Sequence, residues 1–301
     1  MLNTNLTTVK NRLTDLTKAR TSLSEKRIAH IGELAELLCD EAGEEEIFFR
    51  DEAFGAKYRA AVESGLPSVA DCNRTRVATE EKSLNAMERA MLLCRLCDTL
   101  GIRGVQGAGT FFDEADVTED ETVSYVRSSY ADDAYLTLAS TMKASKVLYG
   151  HEFTEICENV YYDRSAYCLL PVENTSDGRL AGFRSLILRY GLKITSLCRV
   201  KDPVTEEETV FALLKKSLSF EAGEGGRYFE FRVITKDLPS LLVAAEICGM
   251  SLCGVSSVAG RPSCYDLVLQ IDEEGFCGFL SLLHLEYPDF TPLGIYTELH
   301  S

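Results

Sequence analysis

One turn near the middle of the chain gathers side chains that could do acid–base chemistry. Beyond Pro171, consecutive positions carry a carboxylate, an amide and two hydroxyl groups, on Glu173, Asn174, Thr175 and Ser176. Strand-forming residues precede the turn, and apolar residues at three- and four-residue steps follow it as far as Gly191, which predicts strand, turn and helix. Free N–H groups at the start of a helix favour an anionic ligand, so we expect a binding site here. An ordinary turn, with Ser176 or Asp177 capping the helix, is the structural alternative.

The composition is typical of an acidic globular protein. The chain has 301 residues, 46% of them hydrophobic, and a net charge of −16. This charge argues against a nucleic acid or an anionic membrane as partner, because both would be repelled. The sequence has no run of apolar residues long enough to cross a membrane and no signal-peptide pattern at its start, so we expect a cytoplasmic protein. Any anionic substrate would have to be held by local arginine side chains.

The eleven cysteines are scattered, often within apolar runs, which is typical of reduced and buried thiols. Cys94 and Cys97 form a CxxC motif within a predicted helix, where packing in the core is the alternative to zinc or redox chemistry. No second cysteine pair has metal-binding spacing, and the four histidines are far apart. The sequence therefore predicts neither a metal site nor a cofactor.

Helical periodicity dominates the first hundred residues. It predicts a long helix up to an acidic loop at 40–46, a second helix over 51–64 and a third from about Thr79 to Leu100. Basic residues interrupt the apolar seam of the first helix, at Arg20, Arg27 and His30, and Lys10 lies further upstream. Such arginines could bind a dicarboxylate through paired hydrogen bonds. Alternatively, their stems pack and their charges pair with Glu25 and Glu33.

From Gly101 the pattern changes to alternating strands and helices, and it contains a glycine-rich turn over 104–110. Glycines allow a ligand to approach backbone N–H groups closely. The turn lacks the terminal lysine of a nucleotide-binding loop, so on its own it indicates no particular ligand.

The stretch 167–178 resembles the Pro-(Ile/Val)-Glu-Asn-(Ser/Thr) motif of prephenate dehydratases, and the glycine-rich turn resembles their opening Gly-x-x-Gly-(Ala/Ser/Thr) turn. The resemblance implies a prephenate cleft with one wall formed by Glu173, Asn174, Thr175 and Ser176, and the other by Gly107, Ala108 and Thr110. The implied reaction, loss of hydroxide together with carbon dioxide, requires a positioned acid.

Two departures from that family concern the same cleft. Thr209-Val210-Phe211 aligns with a Thr-Arg-Phe motif, which implies a catalytic place for Thr209 but leaves Val210 where the family has arginine. Only residues 201–208 separate this segment from the preceding strand, where the family inserts a second lobe. Because an apolar side chain cannot clamp a carboxylate, the sequence predicts a dehydratase fold with reduced or lost activity.

The last part of the chain, 226–301, reads as βαββαβ, a ferredoxin-like unit. It resembles the ACT regulatory domain of prephenate dehydratases, which binds phenylalanine between paired domains. The resemblance implies a homodimer and effector contacts at Ser240, Leu241, Arg261 and Pro262. A dimerising module without a ligand is the alternative.

The helices at the start resemble all-helical chorismate mutases, with Lys10 and Arg27 at positions that imply substrate binding. Together, the segments 1–100, 101–220 and 226–301 resemble the bifunctional chorismate mutase/prephenate dehydratase family. The expected fold is therefore multidomain α+β: a helical domain, a truncated α/β lobe and a βαββαβ domain. Three hypotheses follow: a prephenate dehydratase with reduced or lost activity, a noncatalytic amino-acid-binding or regulatory protein, and a chorismate mutase.

Overall fold

The computed structural model describes residues 25, 27–39, 52–64, 84–102, 104–112, 122–142, 146–201, 206–218, 220 and 226–299. The helices are α1 (27–39), α2 (Glu52–Ser64), α3 (Ala86–Thr99), α4 (Gly104–Gly107), α5 (Ser129–Leu138), α6 (Phe153–Tyr161), α7 (Ala181–Arg189), α8 (Leu238–Ile247) and α9 (Phe276–Glu286). The strands are β1 (Thr122–Val126), β2 (Lys146–Gly150), β3 (Tyr167–Asn174), β4 (Gly178–Arg179), β5 (Lys193–Lys201), β6 (Glu208–Lys215), β7 (Arg227–Ile234), β8 (Ser251–Ser257), β9 (Cys264–Gln270) and β10 (Thr291–Leu299).

A single mixed sheet joins all ten of these strands. Its order is β2-β1-β3-β6-β5-β10-β7-β9-β8, and β4 pairs with β3. β1 pairs in parallel with both of its neighbours, and β5 pairs in parallel with β10. The predicted mixture of strands and helices is confirmed, whereas the division into separate domains stays a prediction.

The parallel pairing of β5 with β10 joins the dehydratase-like part of the sheet to the C-terminal part. Between 227 and 299 the elements follow as β-α-β-β-α-β, and the spatial order β10-β7-β9-β8 is that of a ferredoxin-like unit. The sheet continues through this unit without a break, so strands of the two predicted domains pair directly with each other.

The faces of the sheet are set by alternation along its strands. On β7, Phe229 and Phe231 are fully buried against the helices of the largest core, to which α1, α2, α3, α8 and α9 contribute. The intervening Glu230 lies on the opposite face, where it contacts α7. The first helices of the chain therefore share a core with the last hundred residues. The strands between 122 and 215 pack instead on α5 at one face and on α6 and α7 at the other.

The third predicted helix starts later than its periodicity suggested. Asn85 accepts the N–H of Glu88 at 3.0 Å, and the Glu88 carboxylate accepts the N–H of Asn85 at 3.0 Å. This capping box fixes the first residue of α3 at Ala86 rather than near Thr79. Within the described part of the chain, no helix has the length and apolar character needed to cross a membrane.

Candidate functional site

The polar turn lies at the tip of a β-hairpin and not at the start of a helix. Glu173 pairs with Arg179 and Asn174 with Gly178, so the chain folds back as β4 before α7 begins at Ala181. The prediction of a direct strand-turn-helix was wrong because Gly178, with φ of +65°, supports this reversal. Leu180 precedes α7 without a side-chain capping bond, so neither Ser176 nor Asp177 caps it.

The hairpin also occupies N–H groups that were expected to face a ligand. The N–H of Thr175 donates to the carbonyl of Glu208 at 3.0 Å, and the N–H of Asp177 donates to Asn174 Oδ1 at 2.6 Å. The N–H of Leu180 donates to Val172 O at 2.9 Å. Binding of an anion at this turn would therefore rely on side chains.

The structure brings the five predicted catalytic residues together at the junction of β3 and β6. Asn174 lies opposite Thr209, and Glu173 lies opposite Val210. The Thr175 hydroxyl donates to Glu208 O at 3.1 Å, and the Ser176 hydroxyl donates to Glu207 Oε1 at 3.3 Å. Two hydroxyls that could serve as proton donors are thus already engaged by β6 and the residue before it.

A cation missed by sequence reasoning lies one strand away from Val210. Arg199 on β5 is the cross-strand partner of Val210, so Glu173, Val210 and Arg199 form a row on one face of three adjacent strands. Arg199 Nε donates to Glu298 Oε1 at 2.5 Å. This hydrogen bond raises the pKa of the guanidinium against the lowering effect of partial burial, and Glu298, Glu173 and Glu208 add to the rise. Only the register of β5 with β6 could have revealed this position.

Arg179 is the other guanidinium beside Glu173, because it is the direct partner of Glu173 across the hairpin. Its Nη1 donates to Ser256 Oγ on β8 at 2.9 Å. Among the described residues the surroundings remain acidic: Arg179, Arg199 and Lys201 lie near five carboxylates, on Glu173, Asp177, Glu207, Glu208 and Glu298. A ligand with several negative charges would be repelled by this excess.

The glycine-rich turn is not beside this row. Gly104–Gly107 forms one helical turn and Ala108–Phe111 a 3₁₀ turn, and Ala108 is fully buried in the core with α3 and α9. The N–H of Gly104 donates to Glu273 O at 2.9 Å. Ala108 packs against α9 whereas Thr110 is exposed, and the cleft wall expected of Gly107, Ala108 and Thr110 stays a prediction. The Thr110 hydroxyl donates to Gly107 O at 2.8 Å.

Of the two predicted mutase residues, Lys10 lies outside the described residues and Arg27 forms an ion pair. The Arg27 guanidinium donates two hydrogen bonds to the Glu88 carboxylate, and the one from Nη2 has a length of 2.7 Å. Glu88 is 8% exposed and also caps α3. Arg27 thus joins α1 to α3 in the structure.

The predicted effector residues divide between core and surface. Leu241 is completely buried, so it packs in the core and does not face a ligand. The N–H of Ser240 donates to Asp237 Oδ1 at 3.2 Å, while Arg261 and Pro262 are exposed in the turn between β8 and β9.

A cavity of about 370 Å³ lies beside α8, lined by Leu242, Val243, Ala245, Glu246, Met250, Ser251, Leu252 and Leu269. Among the described residues, no group of three or more His, Cys, Asp or Glu could hold a metal ion.

No protein-family model and no curated protein matches the chain. Among solved structures, it is similar to a prephenate dehydratase from Streptococcus mutans, with 14% identity and a TM-score of 0.47 over 59% of this chain and 99% of that one. It is similar to a prephenate dehydratase from Arthrobacter aurescens in complex with L-Phe, with 11% identity and a TM-score of 0.44 over 58% and 90%. It is also similar to GqqA, described as a novel type of quorum quenching acylase, with 18% identity and a TM-score of 0.43 over 58% and 94%.

Proposed function

We propose that this chain is a prephenate-dehydratase-like protein whose conversion of prephenate to phenylpyruvate is reduced or lost. The row formed by Glu173, Val210 and Arg199 carries this proposal. The motif residues are gathered at one place, but Val210, only 5% exposed, stands where the resembled motif has arginine. The nearest guanidinium across β6 belongs to Arg199, and Glu298 neutralises it.

The chemistry explains why turnover should be low. Prephenate carries two carboxylates, and losing one charge-assisted hydrogen bond to the substrate costs about 1.5 to 3 kcal/mol. That corresponds to roughly a tenfold to hundredfold loss in rate if the bond acts in the transition state. The five surrounding carboxylates add repulsion. Arg199 could supply part of the missing contact through its Nη groups, but Glu298 already offsets its charge.

The test is phenylpyruvate formation from prephenate by the purified chain, by Glu173→Ala and by Arg199→Ala. Arg164→Ala, which removes an exposed arginine beside Tyr162, is the matched control. Slow turnover that disappears in the first two variants and persists in the control would support a residual dehydratase. Absence of turnover in the unaltered chain would mean that the activity is lost and not merely reduced. Turnover that persists in Glu173→Ala would contradict the proposed site.

A second candidate is noncatalytic binding of an amino acid by the βαββαβ unit. The cavity beside α8 favours it, because about 370 Å³ suits a small molecule and the lining is mostly apolar with one carboxylate, Glu246. L-phenylalanine or L-tyrosine should then raise the melting temperature, and Glu246→Gln, which removes the carboxylate of the lining, should reduce that rise. An unchanged melting temperature with both amino acids would count against this candidate.

The third hypothesis, chorismate mutase activity, concerns Arg27. Its pairing with Glu88 means that a substrate carboxylate would have to compete with a partly buried ion pair. Chorismate consumption by the chain and by Arg27→Ala tests the hypothesis, and equal rates in both would remove Arg27 from it.

A further inference from the structure

Four cysteine side chains meet where α3 packs against α8 and α9. Cys94 and Cys97 lie on α3, Cys248 directly follows α8, and Cys277 is near the start of α9. Cys97 Sγ is 3.3 Å from Ser281 Oγ, and Cys277 Sγ is 3.3 Å from Gly104 O. The Sγ atoms of Cys94 and Cys248, in contrast, lie 3.1 Å from each other. The thiol facing Cys94 thus comes from another helix and not from the CxxC motif.

Close packing of the helices holds this thiol pair in place. Gly278 of α9 lies against Cys94, and a Cβ atom added there would come within 2.5 Å of Cys94 Sγ. Gly275 likewise lies against the backbone of Cys248. A larger residue at Gly278 would push α9 away from Cys94, and a larger residue at Gly275 would displace the backbone of Cys248. The contact between Cys94 and Cys248 therefore depends on close packing at both glycines.

We propose that Cys94 and Cys248 form a reversible disulfide that ties α3 to the end of α8. Closing the bond requires the two sulfur atoms to approach by about 1 Å, which side-chain rotation and a small helix shift can provide. Cys94 is partly exposed, whereas Cys248 is only 2% exposed. A small oxidant therefore reaches Cys94 first.

The oxidant that this chemistry requires is a low-molecular-weight disulfide, RSSR. The Cys94 thiolate attacks one sulfur, which gives a Cys94–SR mixed disulfide and releases the first RSH. Cys248 then loses its proton and attacks Cys94 Sγ, which forms the protein disulfide and releases the second RSH. Two protein thiols are oxidised and one RSSR is reduced to two RSH. In the reduced chain, the hydrogen bond with Cys94 and burial both raise the pKa of Cys248. Burial persists in the mixed disulfide, so the second step is the slower one.

A second thiol pair offers an internal control. Cys157 of α6 and Cys168 of β3 interact with each other, and both are completely inaccessible to solvent. Because neither can meet a small disulfide in the folded chain, this pair should stay reduced under conditions that oxidise Cys94 and Cys248.

The experiment compares the full chain after incubation with glutathione disulfide and after reduction with dithiothreitol. Peptide mapping without reduction should recover a peptide that links Cys94 to Cys248, with a mass lower by two hydrogen atoms. Oxidation should also raise the melting temperature, since the new bond closes a loop between residues 154 positions apart. Cys94→Ser should abolish both effects. Cys253→Ser, which removes an exposed thiol on β8, should retain them.

The peptide map of the unaltered chain tests the proposal even if Cys94→Ser fails to fold. A Cys94–Cys97 linked peptide would show that the CxxC motif is the reactive pair and would overturn the proposal. A stable mixed disulfide at Cys94, without the linked peptide, would overturn it as well. A thermal shift of equal size in Cys94→Ser would show that oxidation stabilises the chain elsewhere.

Discussion

At the scale of single residues, Glu230 is a buried carboxylate that binds two neighbouring side chains. It is 1% exposed, and its carboxylate accepts hydrogen bonds from the Arg184 guanidinium and from the Tyr296 hydroxyl, the latter at 3.3 Å. Burial alone would lower the pKa of Arg184, but Glu230 raises it. Glu230 therefore supplies the counter-charge for a buried guanidinium of α7.

Glu230→Gln preserves the shape of this side chain but leaves Arg184 without its counter-ion. We expect the free energy of unfolding to fall by about 3 to 5 kcal/mol, the usual result of breaking a buried ion pair on one side. Urea denaturation measures the loss. Glu274→Gln, at an exposed position, should change the stability by less than about 0.5 kcal/mol. Equal effects of the two substitutions would contradict this account.

The same scale shows where sequence reasoning stops. The types and order of Glu173 to Ser176 predicted a cluster of polar groups, because these residues are neighbours in the chain. Arg199 could not be found in this way, since its place beside Val210 depends on the pairing of two strands. The partner of Cys94 is likewise hidden, because it lies 154 positions away.

At the scale of elements, two glycines flanking the polar turn should respond in opposite ways to alanine. Gly178 has φ of +65°, whereas Gly182 lies in α7, and a Cβ atom at either position would have no atom within 4 Å. Gly178→Ala should destabilise the fold by about 1 kcal/mol through backbone strain. Gly182→Ala should stabilise it by about 0.5 to 1 kcal/mol. Denaturant midpoints compare the two, and a stabilising Gly178→Ala would exclude the hairpin.

The joint between α1 and α3 should be sensitive to acid. Burial raises the pKa of Glu88, but hydrogen bonds from Arg27 and from the Asn85 N–H outweigh this and lower the pKa below 4.5. A carboxyl with a lowered pKa stabilises the fold above its unfolded-state value, and that stability is lost as the pH falls through the folded-state pKa.

We therefore expect the chain to lose stability between about pH 5 and about pH 3, and Glu88→Gln to lose less over the same interval. Melting temperatures across this range give the comparison. Glu36→Gln, an exposed change on α1, should keep the full pH dependence. A Glu88→Gln curve parallel to that of the unaltered chain would mean that the ion pair contributes no pH-dependent stability.

Most elements could be predicted from the sequence, but their assembly could not. Alternation along β7 and periodicity along α9 are local properties, and both elements occur in the βαββαβ order predicted for 226–301. The sequence did not reveal the surroundings of the glycine-rich turn, because the burial of Ala108 against α9 depends on distant packing. For the same reason, nothing in the sequence revealed that β5 pairs with β10 and extends one sheet through two predicted domains.

At the scale of the whole molecule, we expect the two predicted domains to unfold together, because one sheet runs through both of them. Phe231 is fully buried on β7 and contacts the rings of Phe229 and Phe279. Phe231→Ala should cost about 3 to 5 kcal/mol through lost burial and the cavity that remains. If the sheet unfolds as one cooperative unit, hydrogen exchange should accelerate by a similar factor for the slowest amides of β3 and of β7.

Ile187→Ala, which opens a cavity in the core beneath α7, provides the reciprocal test from the other half of the sheet. Acceleration confined to 227–299 for the first variant and to 122–215 for the second would show two independently unfolding domains instead. The continuous pairing through β5 and β10 favours the first result, because separating the two halves would expose the backbone ladder that joins them.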